Sequence, residues 1–356
     1  MSVNHQSRDE RMVGLWLVAC CVVLVALVLV GGATRLTGSG LSMVYWQPLS
    51  VLPPLTESAW QAEFEAYRAS PEYQQINVGM SLDEFKFIFW WEFGHRLLAR
   101  GLGLVFALPL AWFWWRGMLP VRLRWPMLGL LALGGLQAWM GWYMVQSGLV
   151  DIPRVSPYRL AAHLGLALLI LVIMLRLATG LLWTRPPPQA AEGVRRGIRA
   201  SLVLGALTIL SGAFVAGLKA GLVFNTFPLM GGQIVPPGAW ALEPAWRNLF
   251  ENPGLVQFIH RVLALATLAA VLTSWWLGRT SSDPRLRRLL TAVALIALVQ
   301  VTLGITTLLM SVPIGLALVH QGTAVLLLGS LVIADFAAKA PWRAEADPGR
   351  PIAATG

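Results

Sequence analysis

Eight apolar stretches run along this chain, roughly over 12–34, 88–115, 126–147, 158–183, 200–221, 253–278, 289–311 and 315–337. Each has the length of about 20 residues that a helix needs to cross the hydrocarbon core of a bilayer. Lipid offers no partner to backbone N–H and C=O groups, so such stretches must satisfy those groups internally, as helices. The chain is therefore expected to be an all-α polytopic membrane protein of eight transmembrane helices. A content of 56% hydrophobic and 12% charged residues excludes a soluble globule.

The basic residues set the orientation. Arg8, Arg11, Arg116, Arg122, Arg124, Arg185, Arg195, Arg196, Arg199, Arg279, Arg285, Arg287, Arg288, Lys339, Arg343 and Arg350 fall on one side of the predicted spans. Only Arg35, Arg68, Lys86, Arg154, Arg159, Lys219 and Arg247 fall on the other, in longer loops. By the positive-inside rule both termini are cytoplasmic. The net charge of +10 is then a topology signal, compatible with contact to the lipid bilayer. It argues against a nucleic-acid partner, because the charges flank spans and form no single patch. Met1 to Arg11 reads as too short and too acidic for a transit peptide, and no cleavable signal is expected. A bacterial inner (plasma) membrane is the expected location. Cys20 and Cys21 lie side by side in the first span, without metal-ligand or redox spacing, and read as small core fillers.

Four of the five histidines, His95, His163, His260 and His320, each fall inside a different even-numbered span. The segment from Glu92 to Ala99 (EFGHRLLA) returns as Gln257 to Ala264 (QFIHRVLA). Other echoes accompany it. A small-residue exit from Gly31 to Leu41 matches one from Ser211 to Leu222, Pro48-Leu49 matches Pro228-Leu229, and Gln137 and Gly141 match Gln300 and Gly304. The expected architecture is two pseudo-symmetric four-helix bundles in parallel repeat: an N-terminal half over 1–183, a linker over 184–199 marked by Pro186-Pro187-Pro188, a C-terminal half over 200–338 and a tail over 339–356.

A single intramembrane histidine is usually a hydrogen-bonded packing residue or part of a proton path. Four at matched depth in repeated positions, all toward the external side, point instead to two sites for a planar hydrophobic metal cofactor clamped between helices, with haem the leading candidate. The halves differ where chemistry would reside. Glu92 precedes His95 by one turn and shares its helix face, whereas the second half has the neutral Gln257 there. A buried carboxyl beside a haem would take up a proton or stabilise developing positive charge; a plain structural bond to a histidine nitrogen or to Arg96 is the alternative. The first external loop, with Glu57, Glu63, Glu65, Glu72, Asp83 and Glu84 among aromatics, would lid a site, dock a partner or simply be solvated.

These residues resemble the haem A synthase family over nearly the whole chain, through Glu92-Phe93-Gly94-His95-Arg96, one histidine per even span, the Gly31–Gly40 exit and Phe227-Pro228-Leu229-Met230. The resemblance implies oxidation of a methyl group of haem O to a formyl group, giving haem A for cytochrome oxidase assembly. It implies Glu92 as the catalytic acid–base group, His95 and His163 facing the substrate haem, and His260 and His320 as axial ligands of a haem b cofactor. The expected partners are haem O synthase and an electron acceptor. Many family members carry a cysteine pair in the first external loop; this loop has none, which matches the cysteine-free proteobacterial and mitochondrial-type subgroup and argues against a thiol relay there. A di-haem b electron-transfer protein without substrate chemistry is the main alternative, followed by a two-half transporter and a structural assembly factor. Arg35, Arg100 and Lys219 lie where haem propionates would reach, and equally where basic residues snorkel to an interface. Tryptophans and small residues on lipid-facing helices leave room for a homo-oligomer.

Overall fold

A computed structural model describes residues 2–45, 52–149, 153–183 and 190–338. Pro48-Leu49, Pro186-Pro187-Pro188, Arg185 and the tail over 339–356, with Lys339, Arg343 and Arg350, lie outside them. The helices are α1 (Ser2–Leu36), α2 (Glu57–Arg68), α3 (Pro71–Gln75), α4 (Leu82–Trp115), α5 (Val121–Gln146), α6 (Pro157–Leu182), α7 (Glu192–Gly217), α8 (Asn248–Glu251), α9 (Pro253–Gly278), α10 (Pro284–Leu309) and α11 (Ile314–Ala337). Among the described residues there is no strand, only an isolated bridge between Met230 and Gln233. Eight of the helices, α1, α4, α5, α6, α7, α9, α10 and α11, are long and apolar enough to cross a membrane. The protein is an all-α, multi-pass membrane protein.

Capping chemistry explains where several spans begin. Ser81 and Glu84 form a reciprocal capping box, so α4 starts at Leu82, a turn and a half before its apolar stretch. Asn252 accepts from the amides of Gly254 and Leu255 ahead of α9, and Asp283 accepts from that of Arg285 ahead of α10. Each is followed by a proline at the first helical position, whose missing N–H costs nothing there. Helix α7 starts at Glu192, so residues 192–199 of the expected linker are helical.

Helices α1, α4, α5 and α6 pack in a closed ring, each against the next, and α7, α9, α10 and α11 do the same in the same chain order. The two groups meet through α6 on α7, α1 on α11 and α6 on α11. Small residues make that seam close. A Cβ on Gly32 would lie 2.1 Å from Oε1 of Gln321, and one on Gly217 would lie 2.8 Å from Cβ of Pro157. The Gln321 amide spans the seam to the Val28 carbonyl at 2.8 Å. Farther along the seam, buried Asp335 of α11 pairs with Arg176 of α6 at 2.7 Å and Arg199 of α7 at 3.5 Å. The largest apolar core fills the first ring around Leu17, Cys20, Leu24, Met127, Leu171 and Met174. Cys20 and Cys21 are buried free thiols in it, the packing role expected of them.

The described part of the segment between α1 and α4 is folded and packs on the start of α4. Thr56 caps α2, and Ser70 with Pro71 opens α3. The apolar faces of these short helices set Trp60, Phe64 and Tyr67 against Phe85, Ile88, Phe89 and Phe93 on the extended start of α4. Tyr67 and Phe85 stack at 5.2 Å between centroids, and Trp60 meets Phe89 edge-on at 5.0 Å. Within this segment Glu72 is buried; it accepts from the Tyr67 hydroxyl at 3.1 Å, and Asn77 donates to that hydroxyl at 2.7 Å. Burial raises the Glu72 carboxyl to about 7, with a smaller upward push from Glu92, and opposed by the Tyr67 hydrogen bond and Lys219.

Candidate functional site

Each of the four histidines packs against a glycine on the preceding helix of its ring. A Cβ on Gly31 would lie 3.0 Å from Nε2 of His95, and one on Gly141, Gly212 or Gly304 would lie 3.2, 3.2 or 2.9 Å from Cε1 of His163, His260 or His320. Only glycine lets the backbone come this near an imidazole. All four glycines stand five residues before the end of their helices, which close at Leu36, Gln146, Gly217 and Leu309. At about 1.5 Å per residue that is a shared depth of roughly 8 Å from one face of the bundle. His163 and His320 each stand six residues into their helices, and His260 seven. His95 stands thirteen into α4, because α4 begins a turn and a half early under that segment.

The structure brings the histidines together as His95 with His163 and His260 with His320, each pair near enough to interact electrostatically. Two of their polar neighbours, Gln137 and Gln300, come from residues that repeat in the sequence. The Gln137 amide lies 3.2 Å from Nδ1 of His163 and also donates to its carbonyl at 3.1 Å, and that of Gln300 lies 3.4 Å from Nε2 of His320. Ser211 Oγ lies 2.8 Å from Nδ1 of His260. Among the described residues the His95 ring has no hydrogen-bond partner.

Glu92 does not bond His95. It is buried, with Oε2 accepting from the Ser42 hydroxyl at 2.8 Å and the Met43 amide at 2.9 Å, and Oε1 paired with Arg96 at 2.5 Å. Arg96 also donates to the carbonyls of Met43 and Tyr45. In the second half Gln257 and Arg261 both donate to the Phe224 carbonyl, at 3.2 and 2.9 Å, and Arg261 reaches Pro228. The motif thus ties the segment after the first helix of each half to the histidine helix, by a charge pair in one half and by neutral bonds in the other. Arg35 donates to the Ala216 carbonyl across the seam, and Lys219 sits in a left-handed turn just past α7.

Among the described residues no group of three or more His, Cys, Asp or Glu converges as a free metal ion would need. Two imidazoles per site supply two ligands, which suits a metal whose other ligands come from its own macrocycle. The glycine behind each ring puts no side chain between its helix and the imidazole. The donor set therefore fits haem.

Comparison with known proteins points the same way. The model of a family described as cytochrome oxidase assembly protein (COX15-CtaA) matches residues 14–332. A protein named heme A synthase from Agrobacterium fabrum is 51% identical over 334 residues, covering 92% of this chain and 90% of the relative. This chain belongs to the haem A synthase family. Further members similar to it come from Rhodospirillum centenum, at 49% identity over 332 residues with 92% and 89% coverage, and from Rhizobium meliloti, at 48% over 351 residues with 96% and 92% coverage. For a haem A synthase family chain, reading the sequence by itself missed the contacts of Ser211 and Ser42 and the Tyr67 and Asn77 partners of the Glu72 it had named in the loop.

Proposed function

We propose that this protein is a haem A synthase, a membrane oxidoreductase that converts a methyl group of haem O to the formyl group of haem A for cytochrome oxidase. The observation that carries the reading is the pairing of four histidines on glycine cradles at one depth, in a chain about half identical to proteins named heme A synthase. The first half, with Glu92 one turn from His95, would take haem O between His95 and His163. The second half, with neutral Gln257, would hold a haem b between His260 and His320. That resident haem would supply an outlet for electrons leaving the substrate.

This chain's own residues would do the rest. The apolar spans around each pair exclude bulk water and favour a hydrophobic macrocycle. The aromatic lid on α2 and α3 would close the external end of the first site. Glu92 would serve as the acid–base group, fixed beside the substrate by Ser42, the Met43 amide and Arg96. Those same bonds give it a second task, holding residues 42–45 on α4. Both termini would be cytoplasmic in a bacterial inner membrane, with the histidine pairs toward the periplasm. Haem O synthase and an electron acceptor are the partners this chemistry requires. The halves 1–183 and 200–338 would be the substrate and cofactor units.

The test is haem analysis of His260→Ala and His320→Ala. Loss of a bound b-type haem in each supports the assignment, and unchanged reduced spectra reject it.

A further inference from the structure

The four histidines look equivalent in sequence, yet one has a hydrogen-bonding environment of its own. Nδ1 of His260 lies 2.8 Å from Oγ of Ser211. The Ser211 hydroxyl has the Thr208 carbonyl as an acceptor for its proton at 2.7 Å. A hydroxyl has one proton to give, so Oγ faces Nδ1 as an acceptor and the proton between them belongs to the imidazole. In that arrangement Nδ1 carries hydrogen, and Nε2 keeps its lone pair. The matching stretch of α1, Val30-Gly31-Gly32, holds no hydroxyl. The nearby Thr34 is committed to the carbonyls of Val30 and Trp91. His95 consequently packs on Gly31 without the partner that His260 has.

We propose that Ser211 is a positioning residue for the C-terminal site, a hydroxyl that accepts the Nδ1 proton of His260, fixes the ring and leaves Nε2 as the metal ligand. This rests on the reading of His260 and His320 as haem ligands. A hydrogen bond to the far nitrogen of a ligating imidazole raises its basicity, orients the ring and tightens metal binding, and loss of such a partner typically weakens binding by about 10–100-fold. A more basic imidazole also favours the ferric over the ferrous state. The asymmetry suits a protein in which one haem stays and the other must leave as product.

The experiment uses the full-length protein purified in detergent, with Ser211→Ala, Ser211→Thr and His260→Ala variants. Haem loss is followed by transfer to apomyoglobin, and the midpoint potential by redox titration of the reduced absorption band. Ser211→Ala is expected to bind haem with a six-coordinate spectrum, lose it to apomyoglobin about 10–100-fold faster and titrate at a higher potential. Ser211→Thr, which keeps the hydroxyl, should behave as the parent. Unchanged loss rate and potential in Ser211→Ala, with haem absent from His260→Ala, overturns the role of Ser211 alone. A parental haem spectrum in His260→Ala overturns the haem-ligand reading beneath it.

Discussion

Replacing Glu92 by glutamine would separate the acid–base role proposed for it from its clamp on residues 42–45. The amide keeps one acceptor oxygen, which can still serve the Ser42 hydroxyl and the Met43 amide. Its nitrogen then faces the Arg96 guanidinium, donor against donor, where the 2.5 Å charge pair had been. One hydrogen bond to a charged group is worth about 1.5–3 kcal/mol, and Arg96 retains its bonds to the Met43 and Tyr45 carbonyls. Gln257 beside Arg261 shows that the motif accommodates a glutamine, both side chains turning to the Phe224 carbonyl. The expected structural cost is therefore about 2 kcal/mol, local to residues 42–45, and too small to unfold eight packed spans. Loss of an acid–base group costs about 10²–10⁴ in rate. Ser42→Ala is the control. It removes one neutral donor, worth about 1 kcal/mol, and leaves the carboxylate. The assay is haem A formed per unit of protein in membranes supplied with haem O, with hydrogen exchange over residues 41–45 as the structural readout. Glu92→Gln should lose at least a hundredfold in output with haem still bound, and Ser42→Ala should stay within tenfold of the parent. Similar losses in both variants, or near-normal output from Glu92→Gln, would refute the acid–base role and leave only the clamp.

Three further outcomes follow from the geometry. Gly304→Ala places a Cβ 2.9 Å from Cε1 of His320, so the ring must tilt; the variant should insert normally but show a shifted or diminished b-type spectrum. Asp335→Ala leaves Arg176 and Arg199 without their shared carboxylate at the seam between the halves; thermal unfolding in detergent should report a loss of about 2 kcal/mol, reduced from the fully buried case by the partial exposure of both arginines. The Glu72 carboxyl, raised to about 7 by burial, binds its proton more tightly in the folded lid than in an unfolded chain. The resulting stabilisation, at most about 3 kcal/mol, is full below about pH 4.5 and lost as pH rises through about 7. Hydrogen exchange over residues 57–79 should therefore show protection falling between pH 5 and 8, and Glu72→Gln should remove that dependence.

The eight spans were legible because lipid imposes a simple rule on length and polarity, and the four histidines stood out because the sequence echo displays them twice. Gln137 with Gly141, and Gln300 with Gly304, were legible as echoes, but their purpose was not. Only the packing of α5 on α6 and of α10 on α11 brings each beside a histidine more than a dozen residues away. Helix starts were misjudged where capping chemistry outranks hydropathy: Ser81 and Glu84 extend α4, and α7 begins at Glu192 in a polar stretch. The lid read equally well as solvated loop, since its order depends on aromatics that meet only once α2 folds back on α4. Ser211 was hidden for a different reason. It is one small residue in a run of small residues, and nothing local distinguishes a hydroxyl that receives an imidazole proton from one that merely bonds its own helix.

The most direct test of the central claim is chromatography of acid-extracted haems from a host that makes haem O, with and without this protein, and with Glu92→Gln. The account predicts haem A only with the intact protein, and haem O with bound haem b in the variant. Bound haem b with no haem A from the intact protein would contradict it and identify a di-haem electron carrier instead.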